Sequence, residues 1–480
     1  MVNFSNQNIN GTAMKKFAFF SFLLLSAATL FAQTSDHLNC FAVLAGKDAT
    51  TDGSVLLAHN EDDSGEQMLN IYNVPRNSMG VNNKYIWVEF PGMEVSDAYL
   101  NEYGVAVASD GCNSREDRED YTDGGVLYEV RTLVAQQARS ARHAAELIGK
   151  IVQERGYKGS GRTYVVADCN EGWVVAVVRG RHWLAQRVPD NKVMTIPNYY
   201  CIGEVDLSDT ANFMGSPDII SYAVERGWYN PATDGKFLFR KAYSHPNYYN
   251  YDRNYVRHMS AMNYLTGEEY STNPDEYPFA VTPNRKVAIV DMMQILASHG
   301  ENIDVKIGGN QKGGHPVCIC TDVTVTSTIF QLRNWLPVEI GAVMWATAAS
   351  PCAEVYIPWY CGMTKSPDGF QRFSTAAVAL EKHMSDSKDK RKNYPDAIAW
   401  KFVDKWHTVL EDYDGRIAAV QQKNAPFQQK LFKGQMKFEK SLRKFWDAGT
   451  LEVSKPAQLQ EALNNYTAEA YREYYKVIGW

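Results

Sequence analysis

The spacing of apolar residues changes character three times along the chain. Residues 17–32 (FAFFSFLLLSAATLFA) form an unbroken apolar run behind Lys15 and Lys16, and the polar stretch QTSDHLN follows. A short basic start, an apolar core and a polar end predict a secretory signal peptide that begins at Met14 and is cleaved near Ala32–Gln33. Residues 1–13 then form an upstream extension. No later run approaches the length that a membrane helix requires. The expectation is an exported protein, periplasmic or extracellular, with no stable membrane insertion once the signal is removed.

Between 40 and 365 the apolar runs are short and bounded by glycine and polar residues. CFAVLAG (40–46), VLLAHN (55–60), TYVVAD (163–168) and WVVAVV (173–178) predict strands. EVRTLVAQQARSARHAAELIGKIVQE (129–154) instead has helical spacing, with Val130, Leu133, Val134, Ala138, Ala141, Ala145 and Ile148 on one face. Beyond 366 there is no cysteine, and helical patterns occupy 397–422, 438–446 and 457–477. The class is therefore α+β with a helical C-terminal extension, divided as 1–32, 33–39, 40–365 and 366–480. SDSKDKRKNYPD (385–396) reads as a solvated charged loop. GGNQKGG (308–314) reads as a plain loop, because it lacks the Lys-Ser/Thr ending of a phosphate-binding loop.

Composition narrows the function. The 480 residues carry a formal net charge of −6, with 45% hydrophobic and 22% charged residues, which excludes disordered and fibrous classes. Residues 40–365 hold 28 basic and 39 acidic residues, a balance of −11. Such a surface disfavours nucleic acid and favours small cationic groups such as a free α-ammonium. The eight cysteines (Cys40, Cys112, Cys169, Cys201, Cys318, Cys320, Cys352, Cys361) are too sparse for a disulfide scaffold. Cys318 and Cys320 do not have the spacing of a zinc-ligand pair, and no histidines fall at HExxH spacing, so neither a metal nor a cofactor is expected.

The first two strands flank KDATTDGS and predict a hairpin, which returns the chain to its own start. A turn centred near Thr50 sets Cys40 opposite about residue 60; a two-residue turn at Asp52-Gly53 sets it opposite about residue 65. Either way His59-Asn60-Glu61-Asp62-Asp63 comes back beside Cys40. A thiol beside an imidazole and carboxylates is a candidate nucleophile. The same pattern also suits a hairpin ending in a solvated acidic loop.

Longer motifs carry a resemblance. CFAVLAGKDATTDGSVLLAHNEDD (40–63) resembles the start of the dipeptidase and secernin family of N-terminal nucleophile hydrolases. The similarity continues through NEYGVAVASD (101–110), DGGVLYEVRTLVAQQARSARHAAELI (123–148), GSGRTYVVADCNEGWVVAVV (159–178), HWLAQRVPD (182–190) and IPNYYCIGEVDL (196–207). CICTDVTVTSTIFQLR (318–333) and PVEIGAVMWATAASPCAEVYIPWYCG (337–362) complete it. The resemblance spans about 40–365 in order. It implies an αββα four-layer sandwich, hydrolysis of dipeptides with broad side-chain tolerance, and a mature chain that begins at the nucleophile Cys40 once propeptide 33–39 is removed.

It further implies catalytic support from His59, Asp62 and Asn198, with Asn198 as an oxyanion donor. His59 stands where related bile-salt and penicillin hydrolases often have arginine, which leaves its charge at neutral pH open. Asp110 falls where relatives place an oxyanion donor, a role that an ionised carboxylate opposes. For the charged ends of a dipeptide, Glu61 or Asp63 is the candidate for the ammonium and Arg333 for the carboxylate. Two other readings stand beside the dipeptidase: an amidohydrolase of N-acyl amino acids or bile-salt conjugates, and an exported binding protein without catalysis. Oligomeric state is left open.

Overall fold

The structure is a computed structural model and describes residues 40–479, apart from 64–67, 78, 80–81, 91–97, 119–124, 305–306, 308–311, 372–390 and 393. The expected signal peptide and propeptide, most of the charged stretch 385–396 and part of the 308–314 loop thus lie outside the described residues. In chain order the strands are β1 (Phe41–Ala45), β2 (Val55–Asp62), β3 (Asn70–Val74), β4 (Tyr85–Glu89), β5 (Ala98–Asn101), β6 (Ala106–Gly111) and β7 (Tyr157–Ala167). There follow β8 (Gly172–Gly180), β9 (Trp183–Arg187), β10 (Val193–Ile196), β11 (Phe213–Gly215), β12 (Thr324–Leu332), β13 (Ala342–Ala346) and β14 (Ile357–Tyr360). They form two antiparallel sheets, one ordered β10-β1-β2-β12-β13-β14 and the other β11-β9-β8-β7-β6-β5-β4-β3.

The near-continuous apolar strands have two faces to bury, since alternate residues point to opposite sides. In the second sheet, Val107, Val166, Trp173, Val175 and Val177 pack in one cluster with α1 (Glu129–Gln137) and α2 (Ala141–Arg155). Their neighbours Ala106, Ala108, Val165, Ala167, Val174 and Ala176 belong to the cluster that includes β1 and β2. Gly172 marks how closely the sheets approach: a Cβ there would lie 2.5 Å from the Leu44 side chain. On the far side of the first sheet lie α3 (Asp252–Thr266), against β10, and α4 (Ile289–Leu296), against β2 and β12. The layer order is helix, sheet, sheet, helix: the αββα four-layer sandwich.

The 129–154 stretch is not one helix. It breaks at Ala138, and Ser140 restarts it as an N-cap, its hydroxyl accepting from the His143 backbone N–H at 3.1 Å. Asp168 reinforces the restart by accepting from the Ala141 N–H at 2.8 Å. The helical spacing in 397–422 likewise divides into α5 (Ala399–Leu410) and α6 (Tyr413–Ser441), with Asp412 capping α6. Residues 438–446 are the end of α6 and a 3-10 turn, and α7 (Pro456–Ile478) follows. Among the described residues no helix is long and apolar enough to cross a membrane.

The C-terminal helices dock on the β12–β14 side. Trp359 Nε1 donates to Tyr471 Oη at 3.1 Å, Thr467 Oγ1 to the Pro358 carbonyl at 2.8 Å, and Trp406 Nε1 to the Asp322 carbonyl at 3.1 Å. Arg333 belongs to this interface. Its guanidinium donates to both Glu439 carboxylate oxygens at 2.8 and 2.7 Å and to the Gly341 and Ile340 carbonyls. Arg333 follows Leu332, which pairs with Val55, whereas Cys40 lies by the other end of β2, opposite Glu61. Glu439→Ala strands this buried guanidinium, and a denaturant melt should show a loss of about 3 kcal/mol, with KM unchanged. A rise in KM without a loss of stability would return Arg333 to substrate binding.

Candidate active site

The hairpin register fixes what faces Cys40. Phe41 pairs with Asn60 and Ala42 with His59, so Cys40 falls opposite Glu61. The turn near Thr50 is the one observed, and a tight Asp52-Gly53 turn is not. His59 to Asp62 are not a solvated loop but fully buried strand residues, flanked by β12 on the other side. Cys40 Sγ lies 3.8 Å from Glu61 Oε1 and 3.8 Å from the Asp62 carbonyl oxygen.

Strand alternation sorts these residues. His59 and Glu61 share the face of Cys40, which looks toward the second sheet. There His59 Nε2 meets Asp110 Oδ1 of β6 at 3.2 Å. One atom from each of Cys40, His59 and Asp110 lies within 4.8 Å of the other two, and all three residues are buried. Burial pushes the Asp110 carboxyl upward, opposed by its hydrogen bond to His59 and by the charges of His59, Arg162 and Arg257. Asn60 and Asp62 point the other way. Asn60 Nδ2 donates to the Leu296 and Ile319 carbonyls, and the Asp62 carboxylate accepts from the hydroxyls of Thr324 at 2.6 Å and Thr321 at 2.8 Å. Burial raises Asp62 as well, against those two bonds and the Arg257 charge.

Arg257 completes the site, and the sequence reading missed it. From α3 its fully buried guanidinium donates to the Cys40 carbonyl at 3.0 Å, to Asn198 Oδ1 at 2.8 Å, to Asn254 Oδ1 at 2.9 Å and to the Arg253 carbonyl at 2.8 Å. Burial lowers its pKa, and the charges of Asp62, Cys318, Cys40 and Asp110 hold it up; a guanidinium remains protonated in either case. Its one sequence signal is a cation at a helical position beside the apolar Val256. The bond to Arg257 orients the Asn198 amide, so that Nδ2 faces the Gly111 carbonyl at 3.0 Å and one N–H is left to donate. Next to it Tyr199 Oη lies 2.6 Å from His258 Nδ1, and burial pushes His258 down to about 3, so this imidazole is a neutral support.

The structure thus gathers Cys40, His59, Glu61 and Asn198 around one point, with Asp110 and Arg257. Asp62 buttresses from the opposite face through Thr321 and Thr324. Asp63 is half-buried just past the end of β2, its backbone N–H bonded to the Val323 carbonyl at 3.1 Å. Arg333 is not brought to the site. Burial pushes the thiols of Cys112 and Cys361 up to about 12, which keeps them protonated and inert.

Comparisons with known proteins place the chain in a peptidase family. Residues 120–384 match the model of Peptidase family C69, more than half of the chain, and the chain belongs to that family. A probable dipeptidase of Salmonella dublin is 28% identical over 381 residues, covering 73% of this chain and 86% of that protein. A probable dipeptidase B of Streptococcus pyogenes serotype M1 is 26% identical over 398 residues, covering 73% and 78%. Among solved structures, penicillin V acylase from Agrobacterium tumefaciens aligns at 13% identity with a TM-score of 0.33, covering 67% of this chain and 86% of that one.

Asn198→Ala is expected to lower kcat about 10²-fold with KM little changed, as for loss of one oxyanion donor; a threefold effect would remove Asn198 from that role. Because burial raises Asp110, it takes up a proton above the ordinary carboxylate value of about 4 as pH falls. The acid limb of kcat/KM is therefore expected above that value. Asp110→Asn should cut kcat/KM about 10²-fold across the profile; an unchanged profile would make the His59–Asp110 contact purely structural.

Proposed function

We propose that this protein is an exported cysteine dipeptidase of broad side-chain specificity, in which Cys40 becomes an N-terminal nucleophile when the chain is cut after Asn39. The observation that carries this reading is the convergence of Cys40, His59, Glu61, Asn198 and Arg257 at one buried point. Family C69 membership and the names of the curated relatives support the substrate class. The apolar run behind Lys15 and Lys16 supports export.

Removal of the propeptide turns the Cys40 amide into an amine with an unperturbed pKa near 8, close to its own thiol. That amine accepts the thiol proton while Sγ attacks the scissile carbonyl. The remaining N–H of Asn198 donates to the oxyanion, and Arg257, bonded to both Cys40 and Asn198, keeps donor and nucleophile in register. The tetrahedral intermediate collapses and expels the amine of the second residue, which takes the proton from the Cys40 ammonium. Water, deprotonated by the same amine, then hydrolyses the thioester and frees the first amino acid. Glu61 receives the substrate's α-ammonium. His59 is oriented beside the thiol by Asp110.

A panel of dipeptides with small, branched, aromatic and charged side chains, set against N-acylated amino acids, tests the reading. Hydrolysis of dipeptides at rates within about tenfold of one another, absent in Cys40→Ala, is the expected result. Cleavage of acylated substrates alone would overturn the dipeptidase. Wild-type rates in Cys40→Ala would overturn the nucleophile.

A further inference from the structure

A second cluster of reactive side chains lies outside the active site, and the hydrolysis above makes no use of it. His299 follows α4, His315 and Cys320 lie on the segment that leads to β12, and Cys352 lies between β13 and β14. One ligand atom from each lies within 4.8 Å of the other three. His299 Nε2 is 3.2 Å from His315 Nε2, and His315 Nε2 is 3.7 Å from Cys352 Sγ and 3.9 Å from Cys320 Sγ. Around a tetrahedral zinc ion, N–Zn bonds near 2.05 Å and S–Zn bonds near 2.3 Å set the ligand atoms about 3.3 Å apart for N···N and about 3.6 Å for N···S. The observed spacings match those edges to within about 0.3 Å.

The surroundings suit a closed metal site. His299 Nδ1 faces Glu301 Oε1 at 3.5 Å, and Glu301 Oε2 accepts from the His299 backbone N–H at 3.0 Å. A carboxylate on Nδ1 directs the Nε2 lone pair inward, the usual outer support of a metal-bound imidazole. Ser350 Oγ stands 3.2 Å from Cys320 Sγ and 3.4 Å from Cys352 Sγ, placed to donate its one O–H to one of two thiolates. The rings of Trp406 and Tyr413, from α5 and α6, lie edge-on to His315 at 5.4 and 4.6 Å and cover it. His315, Cys320 and Cys352 are buried.

We propose that His299, His315, Cys320 and Cys352 form a structural site for one Zn2+. The ligands coordinate as two thiolates and two neutral imidazoles, and the protons that the four side chains carry in the metal-free site pass to solvent. Four protein ligands leave no open position for a metal-bound water, so the site is structural, not catalytic. It ties the 315–320 segment to the β13–β14 connection. That segment and the residue after it meet β2, the strand that faces Cys40, through the Ile319 carbonyl on Asn60 and Thr321 on Asp62. The metal is thus a positioning element for β2. The expectation of no metal rested on local motifs, and these ligands come from three parts of the chain: His299, the His315–Cys320 segment and Cys352.

The test is the metal content of full-chain protein purified without chelator from zinc-supplemented cells, for wild type, Cys352→Ser and Cys40→Ser, together with denaturing intact mass without reductant. Wild type and Cys40→Ser are expected to hold about one zinc per chain, Cys352→Ser almost none, with Cys320 and Cys352 both as thiols. Should Cys352→Ser fail to fold, cobalt loaded into wild type supplies the second readout: thiolate-to-cobalt charge transfer with tetrahedral d–d bands. A Cys320–Cys352 disulfide would overturn the proposal. So would absence of zinc from reduced wild type, cobalt bound without thiolate charge transfer, or zinc lost in Cys40→Ser and kept in Cys352→Ser.

Discussion

A guanidinium removed from water is tolerated only where its donors are satisfied and its charge is balanced. Arg257 meets that demand by reaching the Cys40 carbonyl, Asn198 and Asn254, with Asp62 and Asp110 supplying the opposing charge. Three segments far apart in sequence are locked by this one side chain: the start of β1, the loop after β10, and α3. Cys40 and Asn198 share a cation. An arrangement that misplaces either leaves Arg257 under-bonded, so the geometry of the site is coupled to the stability of the fold.

Much of this was legible in the chain. Strands buried on both faces announce themselves as continuous apolar runs, and hairpin arithmetic from Thr50 brought Cys40 to within one residue of its observed partner, Glu61. Side-chain direction was harder. Asp62 sits next to Glu61 yet points to the opposite face, where Thr321 and Thr324 hold it. The break at Ala138 was signalled only by Ser140, because alanine-rich spacing continues through it. Arg333 and Arg257 show what charge alone cannot tell. Both are buried arginines, but one lies at the wrong end of the β2–β12 pair and bonds Glu439, and the other reaches the site from a helix whose docking no local pattern encodes.

The two clusters meet through β2. On one face it carries His59 and Glu61 toward Cys40. On the other, Asn60 and Asp62 are held by the segment that contains Cys320 and, one residue later, Thr321. The C-terminal helices cover that segment through Trp406 and Tyr413 and pin the far end of β12 through Glu439. A helical extension remote in sequence from Cys40 therefore steadies the strand that faces it.

The proposed chemistry requires that Cys40 act with a free α-amine. The most direct measurement is the intact mass of the purified mature chain, for wild type and Cys40→Ala side by side. The account predicts an active wild type that begins at Cys40. A variant still beginning near Gln33 would assign the cut to Cys40 itself, and one cut at the same bond would assign it to another protease. If the active wild type also begins near Gln33, the amine is still an amide and cannot be the base. The account would then be contradicted, and the His59–Asp110 pair would have to take the thiol proton.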